Sequence, residues 1–151
     1  DLPPGTGDIQ LTLSQKAPLT GALIVTTPQD IALLDARKAV KMFQKVNVPV
    51  LGLVENMSIH VCSNCGHAEP IFGSGGGEKM AQEYGLPFLG ALPLDIRIRK
   101  ETDSGTPTVV AEPEGPLAAR YRDIARRVAL ALARAPRDLS HKFPTVVVQN
   151  R

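Results

Sequence analysis

Ala22-Leu23-Ile24-Val25-Thr26-Thr27-Pro28-Gln29-Asp30 opens the stretch that decides the fold, and Val50-Leu51-Gly52-Leu53-Val54 closes it. Each end holds a short, continuous, β-rich apolar run, the pattern of a strand buried on both faces. Between them Thr27 reads as an N-cap hydroxyl, Pro28 as the first helical residue and Asp30 as the carboxylate of a near capping box. Leu33, Ala36, Val40, Phe43 and Val46 then recur every three or four residues as one apolar stripe. Arg37, Lys38, Lys41 and Lys45 fall mostly outside it, on a solvated face. Asn47-Val48-Pro49 ends the helix. Strand, helix and strand with short links make a βαβ unit, which implies parallel strands and a right-handed crossover.

Working outward, Phe88-Leu89-Gly90-Ala91-Leu92 reads as a third strand, followed by Pro93-Leu94-Asp95 and a charged helical segment from Ile96 to Thr102. Val109-Val110-Ala111 has the composition of a brief edge strand. The last helix carries Leu117, Tyr121, Ile124, Val128 and Leu132 on one face and is stopped by Pro136. Residues 9–15 fit a short helix or an extended segment equally well. The expected architecture is an α/β domain over residues 1–135, with a doubly wound, mainly parallel sheet and flanking helices. Residues 136–151 form a tail whose Thr145-Val146-Val147-Val148 run suits an edge strand, a partner-binding strand or disorder.

Composition narrows the function classes. A formal net charge of +2 and 4% aromatics with no Trp leave little with which to hold phosphodiester backbones or stack bases, so no nucleic-acid partner is expected. No membrane association is expected either, since no apolar run approaches the length of a span and the start lacks a signal pattern. A reducing cytoplasm is the expected location.

The two cysteines of the chain stand in Cys62-Ser63-Asn64-Cys65, with His60 and His67 just outside. Thiols two residues apart can point both sulfurs at one metal, but zinc and iron-sulfur clusters usually take four protein ligands, so the pair is half a site. The other half could come from His60 and His67 or from a second copy of the chain. A dithiol redox site is disfavoured because Gly66-His67-Ala68-Glu69-Pro70 continues as turns rather than as a helix. Unligated thiols remain the plain alternative.

Three further stretches bear on ligands. Asp1-Leu2-Pro3-Pro4-Gly5-Thr6-Gly7-Asp8 reads as a stiff loop of the kind that suits phosphate or magnesium, following a strand that the sequence does not include. Asn56 lies just past the second strand, at the sheet end where open α/β folds bind ligands, and its amide can pair with an adenine edge or simply serve a turn. Phe72-Gly73-Ser74-Gly75-Gly76-Gly77-Glu78-Lys79-Met80 looks like a phosphate loop but fails the pattern, because Glu78 precedes Lys79 and Met80 follows it. Its glycines read as a flexible hinge into a helix from about Gly77 to Tyr84, closed by Gly85.

Taken in order, the loop at Asp1 to Asp8, Thr26-Thr27-Pro28-Gln29-Asp30-Ile31-Ala32, Glu55-Asn56-Met57-Ser58, Cys62 to Cys65, Phe72 to Gly77 and Pro93-Leu94-Asp95 resemble the carboxy-terminal half of the Mrp/ApbC family of iron-sulfur carrier ATPases. The resemblance runs from Asp1 to about Ala133. It implies a MinD-like P-loop NTPase fold and a homodimer holding a [4Fe-4S] cluster between two Cys62–Cys65 pairs. It further implies ATP and Mg2+ as ligands, with Asp1 as the catalytic magnesium-holding carboxylate and Gly5 in the switch loop. Asn56 would read the adenine, and Pro93 and Asp95 would flank the base. Apo iron-sulfur proteins and cluster donors are the implied partners. The family's Walker A loop has no counterpart in these residues, so the intact family is an ATPase while this chain alone is expected to be inactive. A zinc-stabilised interaction module and a MinD/ParA-like positioning ATPase are the alternatives.

Overall fold

A computed structural model describes residues 8–17 and 19–134, apart from the side chain of Gln15. Asp1, Gly5 and the Thr145–Val148 run lie outside the described residues. The elements follow in the order α1 (Asp8–Lys16), β1 (Ala22–Thr26), α2 (Asp30–Lys45), β2 (Val50–Glu55), β3 (His60–Val61), β4 (Ala68–Glu69), α3 (Gly76–Glu83), β5 (Phe88–Ala91), α4 (Ile96–Asp103), α5 (Thr108–Ala111) and α6 (Pro116–Arg134). Of the two conformations that suit residues 9–15, the chain takes the helix.

β1, β2 and β5 form a parallel sheet in the order β1-β2-β5. Because side chains alternate across a strand, Leu53 and Val54 must face opposite sides of it. Leu53 joins Ile24, Leu33, Val40, Phe43 and Met80 in one core, under α2 and α3. Val54 joins Leu89 and Leu92 in a second, covered by Tyr121, Ile124 and Val128 of α6. Helices thus lie on both faces, as the doubly wound reading requires. Leu53 and Val40 are wholly enclosed, and burying each such side chain contributes roughly 1.5–3 kcal/mol. Gly90 lets α6 approach closely: at φ +144°, its absent Cβ would sit 2.9 Å from Cγ1 of Ile124.

Four expectations need correction. β1 is buried on one face only: Ala22, Ile24 and Thr26 are buried, while Leu23 and Val25 are 40% and 58% exposed. Val25 pairs with Val54 and shares its face, but α6 lies over β2 and β5, and among the described residues β1 is the sheet's edge. α2 starts at Asp30 with Gln29 as an extended N-cap and no side-chain cap. The Thr27 hydroxyl instead donates to Oε1 of Gln29 at 2.6 Å. The β-branched run at 109–111 lies in a single helical turn, not a strand. Pro107 precedes it, and the buried Thr108 hydroxyl is drawn onto Glu101 of α4 at 2.5 Å. Leu132 stays 39% exposed, outside the α6 stripe that packs on the sheet.

Candidate functional site

The carboxyl ends of all three parallel strands meet on one side of the sheet. Thr26 ends β1, Glu55 ends β2, and the Leu92-Pro93-Leu94-Asp95 turn follows β5. Backbone hydrogen bonds lace these ends together: Asn56 N donates to Thr26 O at 2.7 Å, Leu92 N to Glu55 O at 2.8 Å and Ser58 N to Leu92 O at 3.0 Å. Asn56 and the Pro93–Asp95 turn therefore share one rim. Oδ1 of Asn56 accepts from the Met57 N–H at 2.9 Å, and Met57 sits at φ +54°, so Asn56 also serves its turn. Asp95 caps α4 by accepting from Arg97 N at 2.9 Å, and its other oxygen pairs with the Arg97 guanidinium at 2.8 Å. That side-chain pairing holds its carboxyl below the usual carboxylate range, outweighing the partial burial that raises it.

The cysteines stand at the tip of an antiparallel hairpin that sequence periodicity did not disclose. β3 and β4 pair His60 with Glu69 and Val61 with Ala68. Cys62 then closes the tip twice, donating from its N–H to His67 O and accepting at its carbonyl from Gly66 N, both at 2.9 Å. Both thiols are free, Cys62 half-buried and Cys65 exposed. The backbone N–H groups of Cys65 and Asn64, and after them the Cys65 side chain, favour the thiolate and hold the Cys62 thiol below its ordinary pKa. A thiolate is the form that binds metal, and N–H donors to its sulfur steady that form. The residues present thus fit a soft metal or cluster. They supply two ligands, since among the described residues no three His, Cys, Asp or Glu side chains gather into a metal-holding group. Nδ1 of His60 is spent on Leu94 O at 3.1 Å, and His60 forms a parallel bridge with Leu94.

Met57, Ile59, Val61 and Ile71, which bracket the cysteines in the chain, are exposed apolar residues.

Two features of the rim escaped the sequence reading. Glu55 is 3% exposed, and its Oε2 accepts from the Gly77 N–H at 2.7 Å. A carboxylate closing an otherwise continuous apolar strand was the available signal. Of the glycine-rich stretch, Gly73 and Gly75 turn the chain at positive φ, while Gly76 and Gly77 supply close packing. A Cβ on Gly76 would lie 2.7 Å from Cδ1 of Leu33 and 2.8 Å from Pro28 O.

The ParA family model, described as NUBPL iron-transfer P-loop NTPase, matches residues 1–129. The chain belongs to that family. Within the curated relatives, it is 63% identical over 132 residues to the iron-sulfur cluster carrier protein of Escherichia coli strain K12, an alignment covering 87% of the chain and 36% of the relative. It is 52% identical over 136 residues to the iron-sulfur cluster transfer protein NUBPL of Mus musculus, covering 90% and 43% respectively. The chain therefore spans less than half the length of either relative. Among solved structures, the nucleotide-binding protein of Archaeoglobus fulgidus in complex with ADP superposes with a TM-score of 0.64 at 39% identity, over 78% of the chain and 47% of the other. The cell division ATPase MinD of Pyrococcus furiosus follows with 0.56 at 26%, over 74% and 43%. NUBPL-family membership and these neighbours bear out both the family resemblance and the MinD-like α/β fold. No helix among the described residues is long and apolar enough to cross a membrane.

Proposed function

We propose that the chain serves an iron-sulfur cluster carrier that accepts a [4Fe-4S] cluster and passes it to apo-proteins. Cys62 and Cys65 of one copy, with the same pair of a second copy, hold the cluster across a homodimer. Two chains related by a two-fold axis supply the four thiolates that one chain lacks. The observation that carries this reading is the free Cys62–Cys65 pair on a hairpin tip, one thiol half-buried and the other exposed, with the Cys62 thiol held below its ordinary pKa. The apolar residues bracketing it support an interface around the cluster. The names of the E. coli and mouse relatives support cluster carriage as the cargo chemistry.

ATP and Mg2+ are the proposed ligands of the intact protein, which hydrolyses ATP and whose dimer state the nucleotide sets. Asn56 reads the adenine edge and the Pro93–Asp95 turn borders the base, with Asp95 fixed by Arg97. The ADP complex of the A. fulgidus neighbour supports a nucleotide in this fold. Asp1, as the magnesium-holding carboxylate, and Gly5, in the switch loop, complete the proposed site. The proposed setting is the reducing cytoplasm, with apo iron-sulfur proteins and cluster donors as partners.

Anaerobic reconstitution with iron and sulfide tests the cysteines. About four iron per dimer are expected from the four-thiolate requirement, and Cys62→Ser or Cys65→Ser should abolish binding. Equal loading of a Cys62→Ala, Cys65→Ala double variant would remove the proposal.

A further inference from the structure

We propose that Glu55 is a positioning residue for the cysteine pair: it closes the neck of the excursion 56–76 on which Cys62 and Cys65 ride. The inference rests on the reading of those cysteines as cluster ligands. Strands of two residues each, β3 and β4, cannot fix the hairpin in space by themselves. Its outgoing root is fastened to the turn after β5: Ser58 donates from N and from Oγ to Leu92 O, both at 3.0 Å, and Leu94 N donates to Ile59 O at 2.8 Å. Its returning root is fastened by Glu55, through a bond to Gly77 that joins residues 22 apart in the chain. The Glu55 carbonyl meanwhile accepts from Leu92 N at 2.8 Å, so one residue ties both roots to the end of β2 and stands next to Asn56.

Two features argue that the bond is specific. A buried carboxyl is a costly choice at a position where another apolar residue would simply extend Leu51, Leu53 and Val54. Its compensation is the N–H at the start of α3, where the helix dipole favours an acidic group. Gly77, for its part, leaves room for the contact: a Cβ there would come within 3.1 Å of the Glu55 Cβ and 3.2 Å of its Oε2.

The test compares the full chain, loaded anaerobically with iron and sulfide, with Glu55→Met and Glu55→Gln. Methionine keeps the length of the side chain and loses the oxygen; glutamine keeps an oxygen acceptor. Release of iron to a ferrous chelator should be about 10-fold faster in Glu55→Met, the worth of about one hydrogen bond, and close to the parent rate in Glu55→Gln. In the unloaded proteins, hydrogen exchange at residues 60–69 should rise in Glu55→Met while Leu53 and Val54 stay protected, a selectivity that general destabilisation cannot produce. Equal release rates, or exchange rising uniformly across hairpin and sheet, would overturn the assignment. Should Glu55→Met fail to fold, Glu55→Ala removes the same acceptor without adding bulk at the Gly77 contact and is read by the same two measurements. If the parent chain takes up no cluster, the cysteine reading fails, and the exchange comparison still decides the role of Glu55.

Discussion

β2 and the cysteine hairpin leave the same point of the chain and are held together by opposite means. β2 is buried from Leu51 to Glu55, with Leu53 enclosed between α2, α3 and the neighbouring strands. The hairpin has largely exposed strands and is defined by a few backbone hydrogen bonds. Burial fixes the first region; attachment fixes the second. The difference teaches that the hairpin closes its own tip while a few bonds at its roots hold it to the sheet, so substitutions in the core and on the hairpin should affect different observables.

The largest effect is expected in the core. Leu53→Ala should lower the free energy of unfolding by about 2–5 kcal/mol, read from urea melts, because the enclosed site cannot collapse around the missing atoms. Iron loading of the fraction that remains folded should be unchanged, and a loss of loading there would break the separation of the two regions. Next comes the rim between them. Asn56→Ala should weaken adenine nucleotide binding in the intact protein by about tenfold, the worth of one or two hydrogen bonds, with much less effect on bare triphosphate. Calorimetry that finds equal losses for both ligands would make Asn56 a turn residue only.

Asp95→Ala should cost about 1 kcal/mol through loss of the α4 cap. Asp95→Asn keeps a capping oxygen and isolates the charge. The folded-state pKa of Asp95 lies below its unfolded value, so the charge contributes stability above the unfolded carboxylate range. That contribution disappears as pH falls through the lowered folded pKa. Urea midpoints of the parent and Asp95→Asn should therefore differ at neutral pH and converge in acid; a constant gap would show that the carboxylate charge is irrelevant. The smallest effect belongs to the hairpin surface. Val61→Ala should change stability by less than about 0.5 kcal/mol, while weakening association of the loaded chains if its exposed side chain lies at their interface.

The same division governs what is legible in the sequence. β1, β2 and β5 stand out because burial imprints continuous apolar runs, and the α2 stripe because helical burial imprints its own period. Leu23 and Val25 read as doubly buried because composition reports a strand's preference and not whether it ends up at the edge. Val109, Val110 and Ala111 read as strand because three β-branched or small residues carry too short a pattern to outweigh Pro107 and the Thr108–Glu101 bond. β3 and β4 are shorter than any period. The cysteines are legible by their chemistry, and the family resemblance supplies Asn56, Pro93 and Asp95 as the proposed nucleotide residues. Glu55 is legible only as a carboxylate closing an apolar strand; its partner Gly77 is brought to it by the fold alone.

Native mass measurement of the anaerobically loaded protein tests most directly whether two chains complete the cysteine site. A dimer carrying one [4Fe-4S] unit, reverting to the apo mass when the iron is chelated, is the predicted result. A single chain retaining one zinc ion, lost on His60→Ala or His67→Ala, would contradict the account.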